Sequence, residues 1–246
     1  MDERCQPANF RKPIERAGTV LLLIALSACV MTSTKDIAVN PRAHAESDFF
    51  APQKLQDAVS REILQGERVA LNFQRMSLTY GHDEKFGYVV HLINAGNGLV
   101  RSSRENFRDQ VPSGSLVSLS YLGVVPLRAQ NVPYNSRSPA LIEEVTEFTR
   151  FSKQIARPVE NAEYLFEGRT GLWLTLLSEK SSMVLACRSE KFYPAGKLHP
   201  EMRGDAIDLV CTQSSPLRSV HRYAFLSHYG VAVPREAWAI SKFEVI

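Results

Sequence analysis

The sequence predicts an α+β fold, mainly antiparallel β-sheet, with one long amphipathic helix over 139–157 and a short N-terminal helix over 53–65. Three observations carry that expectation. Runs of alternating apolar residues occur before and after the middle of the chain. One window, Leu141, Val145, Phe148, Phe151 and Ile155, repeats instead at helical spacing. Gly, Pro, Asn and Asp cluster between the runs, where antiparallel connections need turns. The composition is that of a folded chain, 44% apolar and 22% charged over 246 residues, which excludes collagen-like and mostly disordered classes. A formal net charge of +3 gives no strongly basic surface, so nucleic acid is not an expected partner.

Taken in order, residues 1–28 read as an export signal. Arg4, Arg11, Lys12 and Arg16 make a positive start, diluted by Asp2, Glu3 and Glu15. The apolar stretch 17–28 follows. As a helix it reaches only about 18 Å, against a hydrocarbon core of about 30 Å. A short apolar core behind a positive start is the signal-peptide pattern, not a spanning helix.

The end of that stretch, Leu26-Ser27-Ala28-Cys29, resembles the lipobox of bacterial lipoproteins. The resemblance implies diacylglycerol on the Cys29 thiol, cleavage before Cys29 and acylation, as by palmitate, of the new α-amine. The alternatives are an uncleaved anchor or ordinary cleavage. Ordinary cleavage after Ala28 would put Leu26 where a small side chain is wanted, and Ala43-His44-Ala45 lies too far past the apolar core. One acyl chain holds marginally at about 0.8 kcal/mol per buried CH₂, whereas two or more attach stably. No aspartate follows Cys29, so the resemblance implies the outer membrane, facing the periplasm, with inner-membrane attachment as the alternative.

Residues 29–50 read as a flexible, lipid-anchored tether, and 51–246 as a periplasmic domain. That domain is either single or made of two β-rich halves divided near 126–158. Pro52 opens the short helix, with Leu55, Val59 and Ile63 on one face and Gly66 as its stop. Val69, Leu71 and Phe73 then alternate, and Met76, Leu78 and Tyr80 alternate in the other phase. The change of phase predicts a bulge near Gln74-Arg75. Strands are expected at 87–93 and 115–125, with a turn at Asn94-Ala-Gly-Asn-Gly98 between them and a loop over 126–139. Ser138 can cap the long helix and Pro158 can stop it. Further strands are expected at 171–177, 183–188, 206–212, 219–226 and 237–246, with a loop over 189–204.

The chain has 4 cysteines. Cys5 leaves with the signal and Cys29 takes the lipid. Cys187 and Cys211 remain, an even pair for an oxidising compartment. Each shares a strand face with apolar neighbours, Met183 and Leu185 or Ile207 and Leu209. A disulfide is expected; its alternatives are buried free thiols or a functional pair, the latter without C-x-x-C spacing.

Little in the sequence announces chemistry. It holds no Gly-rich phosphate loop, no HExxH, no G-x-S-x-G and no EF-hand loop. The 6 histidines include His199-Pro-Glu201, which with Asp205 and Asp208 is the densest set of possible metal donors. That spacing fits no metal-site pattern, so no metal and no cofactor is expected, and no catalytic residue is singled out. His221 and His228, if on one strand, face opposite ways. His91 reads as a hydrogen-bonded sheet histidine. Lys191-Phe-Tyr193 and Phe225 with Tyr229 could form a sugar or peptide platform. The first functional reading is a non-enzymatic binding or assembly factor of the envelope, with a protein or polymer partner. The alternatives are an anchored hydrolase of peptidoglycan or lipid, using some of His91, His199, Glu201 and His228, and a ligand-binding module with an apolar cleft.

Overall fold

The computed structural model describes residues 40–46, 69–82, 86–133, 142–173, 181–214, 218–235 and 238–246. Cys29, the signal segment and the helix expected over 53–65 lie outside them. Among the described residues, 12 strands form one antiparallel sheet. They are β1 (Arg75–His82), β2 (Phe86–Gly96), β3 (Leu99–Arg108), β4 (Val111–Tyr121), β5 (Val125–Pro133) and β6 (Ile142–Phe151). There follow β7 (Glu163–Trp173), β8 (Ser181–Pro194), β9 (Asp205–Ser214), β10 (Ser219–Leu226), β11 (Val231–Pro234) and β12 (Ala239–Val245). Strands β1 to β11 run as a meander, and β12 returns to pair with β1.

Turn chemistry matches this path. Asn97 and Gly98, between β2 and β3, both have positive φ (52° and 77°), as a two-residue hairpin turn requires. The expected bulge is present where β1 begins: the N–H groups of Gln74 and Arg75 both donate to the Ile246 carbonyl, at 2.8 and 3.0 Å.

The sheet curls so that its β11 end approaches β1 and the β4–β5 turn. Asn72 N–H donates to Tyr229 O, Ala232 N–H donates to Leu122 O, and the Tyr80 hydroxyl donates to Pro234 O at 2.7 Å. One face is thereby enclosed. Met76, Leu78 and Tyr80 of β1, Tyr88, Val90 and Leu92 of β2, and Met183, Leu185 and Cys187 of β8 are all buried there. Opposite residues carry the other solvent-facing phase, as Ser182, Ala186 and Arg188 do on β8.

The long helix expected over 139–157 does not form: its described part is strand β6 followed by a 3-10 turn, Lys153–Ala156. The fold is therefore an antiparallel β-sheet, not α+β. The physical reason is two bulges in β6. Its pairing with β7 skips Thr146 and Thr149, so Val145, Phe148 and Phe151 face Thr170, Gly168 and Phe166 in turn. Each bulge adds one residue, which stretches the period of two to three and imitates a helical stripe. The β-branched and aromatic side chains here favour strand. The loop expected over 126–139 is in its described part β5, because Leu127 and Val132 have an interior to fill. The loop expected over 189–204 begins as β8, which continues to Pro194 across a bulge between Ser189 and Phe192. Residues 69–73, expected as strand, precede β1, although Leu71 and Phe73 are buried as their alternation implies.

A second layer lies on the other face of β3 to β6. Helix α1 (Pro41–Glu46), inside the segment read as tether, packs on β3 and β4 with Ala45 fully buried. Beneath it the register aligns Ser103 with Val117, Val117 with Gln130, and Arg128 with Glu144. All of these are buried. His44 Nε2 lies 2.9 Å from Gln130 Oε1, and Arg128 Nε lies 3.5 Å from Glu144 Oε2. A buried ion pair of this kind roughly offsets its own desolvation.

Candidate functional site

Among the described residues, a cleft of about 990 Å³ lies beside the segment that joins β6 to β7. That segment is clamped. Ser152 Oγ donates to Leu165 O and accepts the Leu165 N–H, at 3.0 and 2.9 Å. Val159 N–H donates to the Tyr164 hydroxyl at 3.0 Å. The buried Ser189 hydroxyl donates to Val159 O at 2.6 Å and accepts the Ala162 N–H at 2.9 Å. A connection held at both ends makes a preformed wall rather than a loose flap.

Tyr121, Tyr164 and Phe225, all buried, line the cleft together with the buried Pro158. Lys153, Gln154, Arg157 and Glu163 are exposed at its rim. Burial pushes the Tyr121 phenol up to about 12, so it stays protonated at neutral pH. Phe151 fixes the aromatic wall through edge-on contacts with Tyr121, Phe148 and Phe166, centroids 5.0 to 5.3 Å apart. The cleft thus offers apolar and aromatic surface with a cationic margin. Its volume is in the range that takes a small molecule or a short polymer segment.

The residues singled out from the sequence are dispersed. Cys187 and Cys211 sit opposite each other on β8 and β9 and form a disulfide. His91 on β2 lies 4.0 Å from Glu105 on β3, and burial lowers its pKa, with Arg42 adding to the effect and Glu244 opposing it. His199 and His228 end in one aromatic cluster: His199 is 5.9 Å from Phe243, Phe243 is 5.7 Å from Tyr229, and Tyr229 is 4.8 Å from His228. Glu201 meets His199 only through its backbone N–H. His221 bonds Ser219 on β10, whereas His228 lies in the turn beyond that strand, so the two do not share one. Asp208 is engaged by Tyr193 and Arg235 instead of by His199 or Glu201. Among the described residues no group of three or more His, Cys, Asp and Glu could hold a metal. Of the suggested aromatic platform, Phe225 and Tyr229 are buried and Phe192 is exposed.

Of the cleft residues, the sequence singled out Phe225 alone, as part of the suggested aromatic platform. Lys153 and Arg157 fall at the end of the expected helix, and Tyr121 in the body of an expected strand. The available signal was the break Arg157-Pro158, which ends one element and begins a connection. Compared with family models, with curated proteins and with solved structures, the chain finds no match. Among the described residues no helix is long and apolar enough to cross a membrane.

Proposed function

We propose that this chain is a bacterial envelope lipoprotein, anchored to the outer membrane through acylated Cys29, whose β-sheet domain binds an envelope ligand and performs no chemistry on it. The observation that carries the reading is Leu26-Ser27-Ala28-Cys29 at the end of a short apolar stretch. The disulfide between Cys187 and Cys211 supports it, because such bonds persist in oxidising compartments such as the periplasm. The cleft supports the binding half. A ligand with an apolar or ring-shaped body fits Tyr121, Tyr164 and Phe225, and an acidic group on it would meet Lys153.

Intact mass of the membrane fraction, with alkyne-palmitate labelling, tests the anchor. The wild type should begin at Cys29 and carry acyl chains, and Cys29→Ser should carry none. If both forms retain residues 1–28, the lipoprotein reading fails. A photocrosslinker at the exposed Gln154 should then capture a specific envelope component; recovery of none would reject the binding role of the cleft.

A further inference from the structure

A second cavity, of about 570 Å³, lies where β11 approaches the start of β12. Its polar lining is Lys197, Asp208, Arg222 and Arg235, and Trp238 supplies an aromatic wall. Six separated stretches of chain build it: Tyr80, Lys197 with Leu198, Asp208, Arg222 with Ala224, 233–235 and 238–240. Arg235 N–H donates to Arg222 O at 2.8 Å, which pins the segment after β11 against β10. This sets the Arg235 guanidinium beside β9, where Nε donates to Asp208 Oδ2 at 3.0 Å. The Tyr193 hydroxyl donates to the other carboxylate oxygen, Oδ1. Burial and the Asp208 charge push the Tyr193 phenol upward, so it holds its proton.

Asp208 is thus matched within the protein, and the remaining cations are not. Neither the Lys197 ammonium nor the Arg222 guanidinium has a hydrogen bond or ion pair among the described residues, and both side chains are exposed. Among the described residues that line the cavity, one carboxylate stands against three basic groups. Glu236 and Ala237, between Arg235 and Trp238, lie outside the described residues.

Trp238 is half-buried and braced from behind. Its ring lies 5.8 Å from Tyr88, which stacks on Tyr80 at 4.5 Å and is capped by the Arg104 guanidinium at 3.8 Å. An indole held in this way presents a fixed flat surface. Ala224 and Val233, both buried, add apolar surface to the same lining.

We propose that this cavity binds an acidic saccharide, with the carboxylate held by Arg222 and Lys197 and the C–H face of the sugar ring laid on Trp238. A planar guanidinium recognises carboxylate with two parallel hydrogen bonds, and an ammonium adds charge without fixed geometry. Asp208 retains unused lone pairs that can accept ring hydroxyls. A neutral sugar would leave the two cations unmatched, and a bare anion would make no use of the indole. The proposal needs neither the Cys29 anchor nor the larger cleft.

Calorimetric titration of the full chain with a uronic-acid disaccharide, a neutral disaccharide and inorganic phosphate tests it. The uronic-acid disaccharide should bind saturably, and the other two weaker by about tenfold or more. Arg222→Ala and Lys197→Ala, both at exposed positions, should each lower affinity for the acidic sugar by about tenfold with the unfolding midpoint unchanged. Trp238→Ala should weaken the two sugars and leave phosphate as it was. Equal binding of the neutral sugar, phosphate binding as tight as the acidic sugar, an unchanged Arg222→Ala, or no saturable binding of any ligand would each overturn the assignment.

Discussion

Replacing Gly168 with alanine probes the register on which the core depends. Gly168 of β7 faces Phe148 of β6, and β6 carries an extra residue on each side of that pair. The bulges bring the Glu147 carbonyl toward β7. A Cβ on Gly168 would stand 2.3 Å from Glu147 O and 3.4 Å from its carbonyl carbon, whereas ordinary contact begins near 3.4 Å. About 1 Å of separation must therefore be found in backbone that is tied into the ladder. Overpacking costs about 1–3 kcal/mol, and a ladder hydrogen bond stretched beyond use adds about 1 kcal/mol. The expected loss is about 3 kcal/mol. Gly171, on the same strand, is the control. A Cβ there meets Thr146 Cγ2 at 3.5 Å, an ordinary contact, so Gly171→Ala should stay within about 1 kcal/mol of the parent. The assay is equilibrium urea unfolding. With a slope of about 2 kcal/mol per molar, Gly168→Ala should lower the midpoint by roughly 1.5 M. Equal midpoints for the two variants would refute the bulged register and the account of why Val145, Phe148 and Phe151 are three apart.

Two other perturbations have definite signs. Replacing Cys187 and Cys211 together with alanine frees a loop of about 25 residues and should cost about 3.5 kcal/mol in the chain-entropy model, seen as a lower urea midpoint that added reductant reproduces in the parent alone. Docking of α1 should weaken in acid. Burial, with Arg128 adding to it and the Gln130 hydrogen bond opposing, lowers the pKa of His44 below its ordinary 6.5. The docked state then binds fewer protons than the undocked one, so its stability is complete above pH 6.5 and falls as the pH drops below that value. Amide exchange over 41–46, corrected for its intrinsic rate, should be faster at about pH 5 than at about pH 8, and His44→Gln should abolish the difference.

Period-two patterns were legible wherever strands were regular. The alternations in Met76 to Tyr80, Met183 to Cys187 and Ile207 to Cys211 place the right side chains inside, and the pairing of Cys187 with Cys211 follows from their shared face. The irregularity at Gln74-Arg75 was readable because the phase changes there, at the point where β1 begins. β6 was not readable. Two bulges in one strand produce spacings of three, and one-dimensional periodicity cannot separate those from a helix without the partner strand. β5 failed for a related reason: the turn-like residues Pro126, Asn131 and Pro133 lie in a strand whose Arg128 and Gln130 point into a polar layer, so no apolar alternation marks it.

The sites were hidden for a different physical reason. Net charge and spacing along the chain describe averages, and a binding site is a local departure from them. A formal charge of +3 over 246 residues predicts nothing about Lys197, Arg222 and Arg235, which come from three elements with acidic neighbours in sequence such as Asp205, Asp208 and Glu190. Antiparallel register does the sorting. The β8–β9 pairing aligns Pro194 with Asp205 and Tyr193 with Ala206, and the β9–β10 pairing places Arg222 opposite Val210. Tyr193 and Arg235 then each donate to one oxygen of Asp208, which ties that carboxylate to them and not to Lys197 or Arg222. The surplus of positive charge in that cavity is thus created by the fold, and it depends on the register of β9: a one-residue slip would turn Asp208, the one carboxylate of the described lining, to the other face and leave Lys197, Arg222 and Arg235 without it.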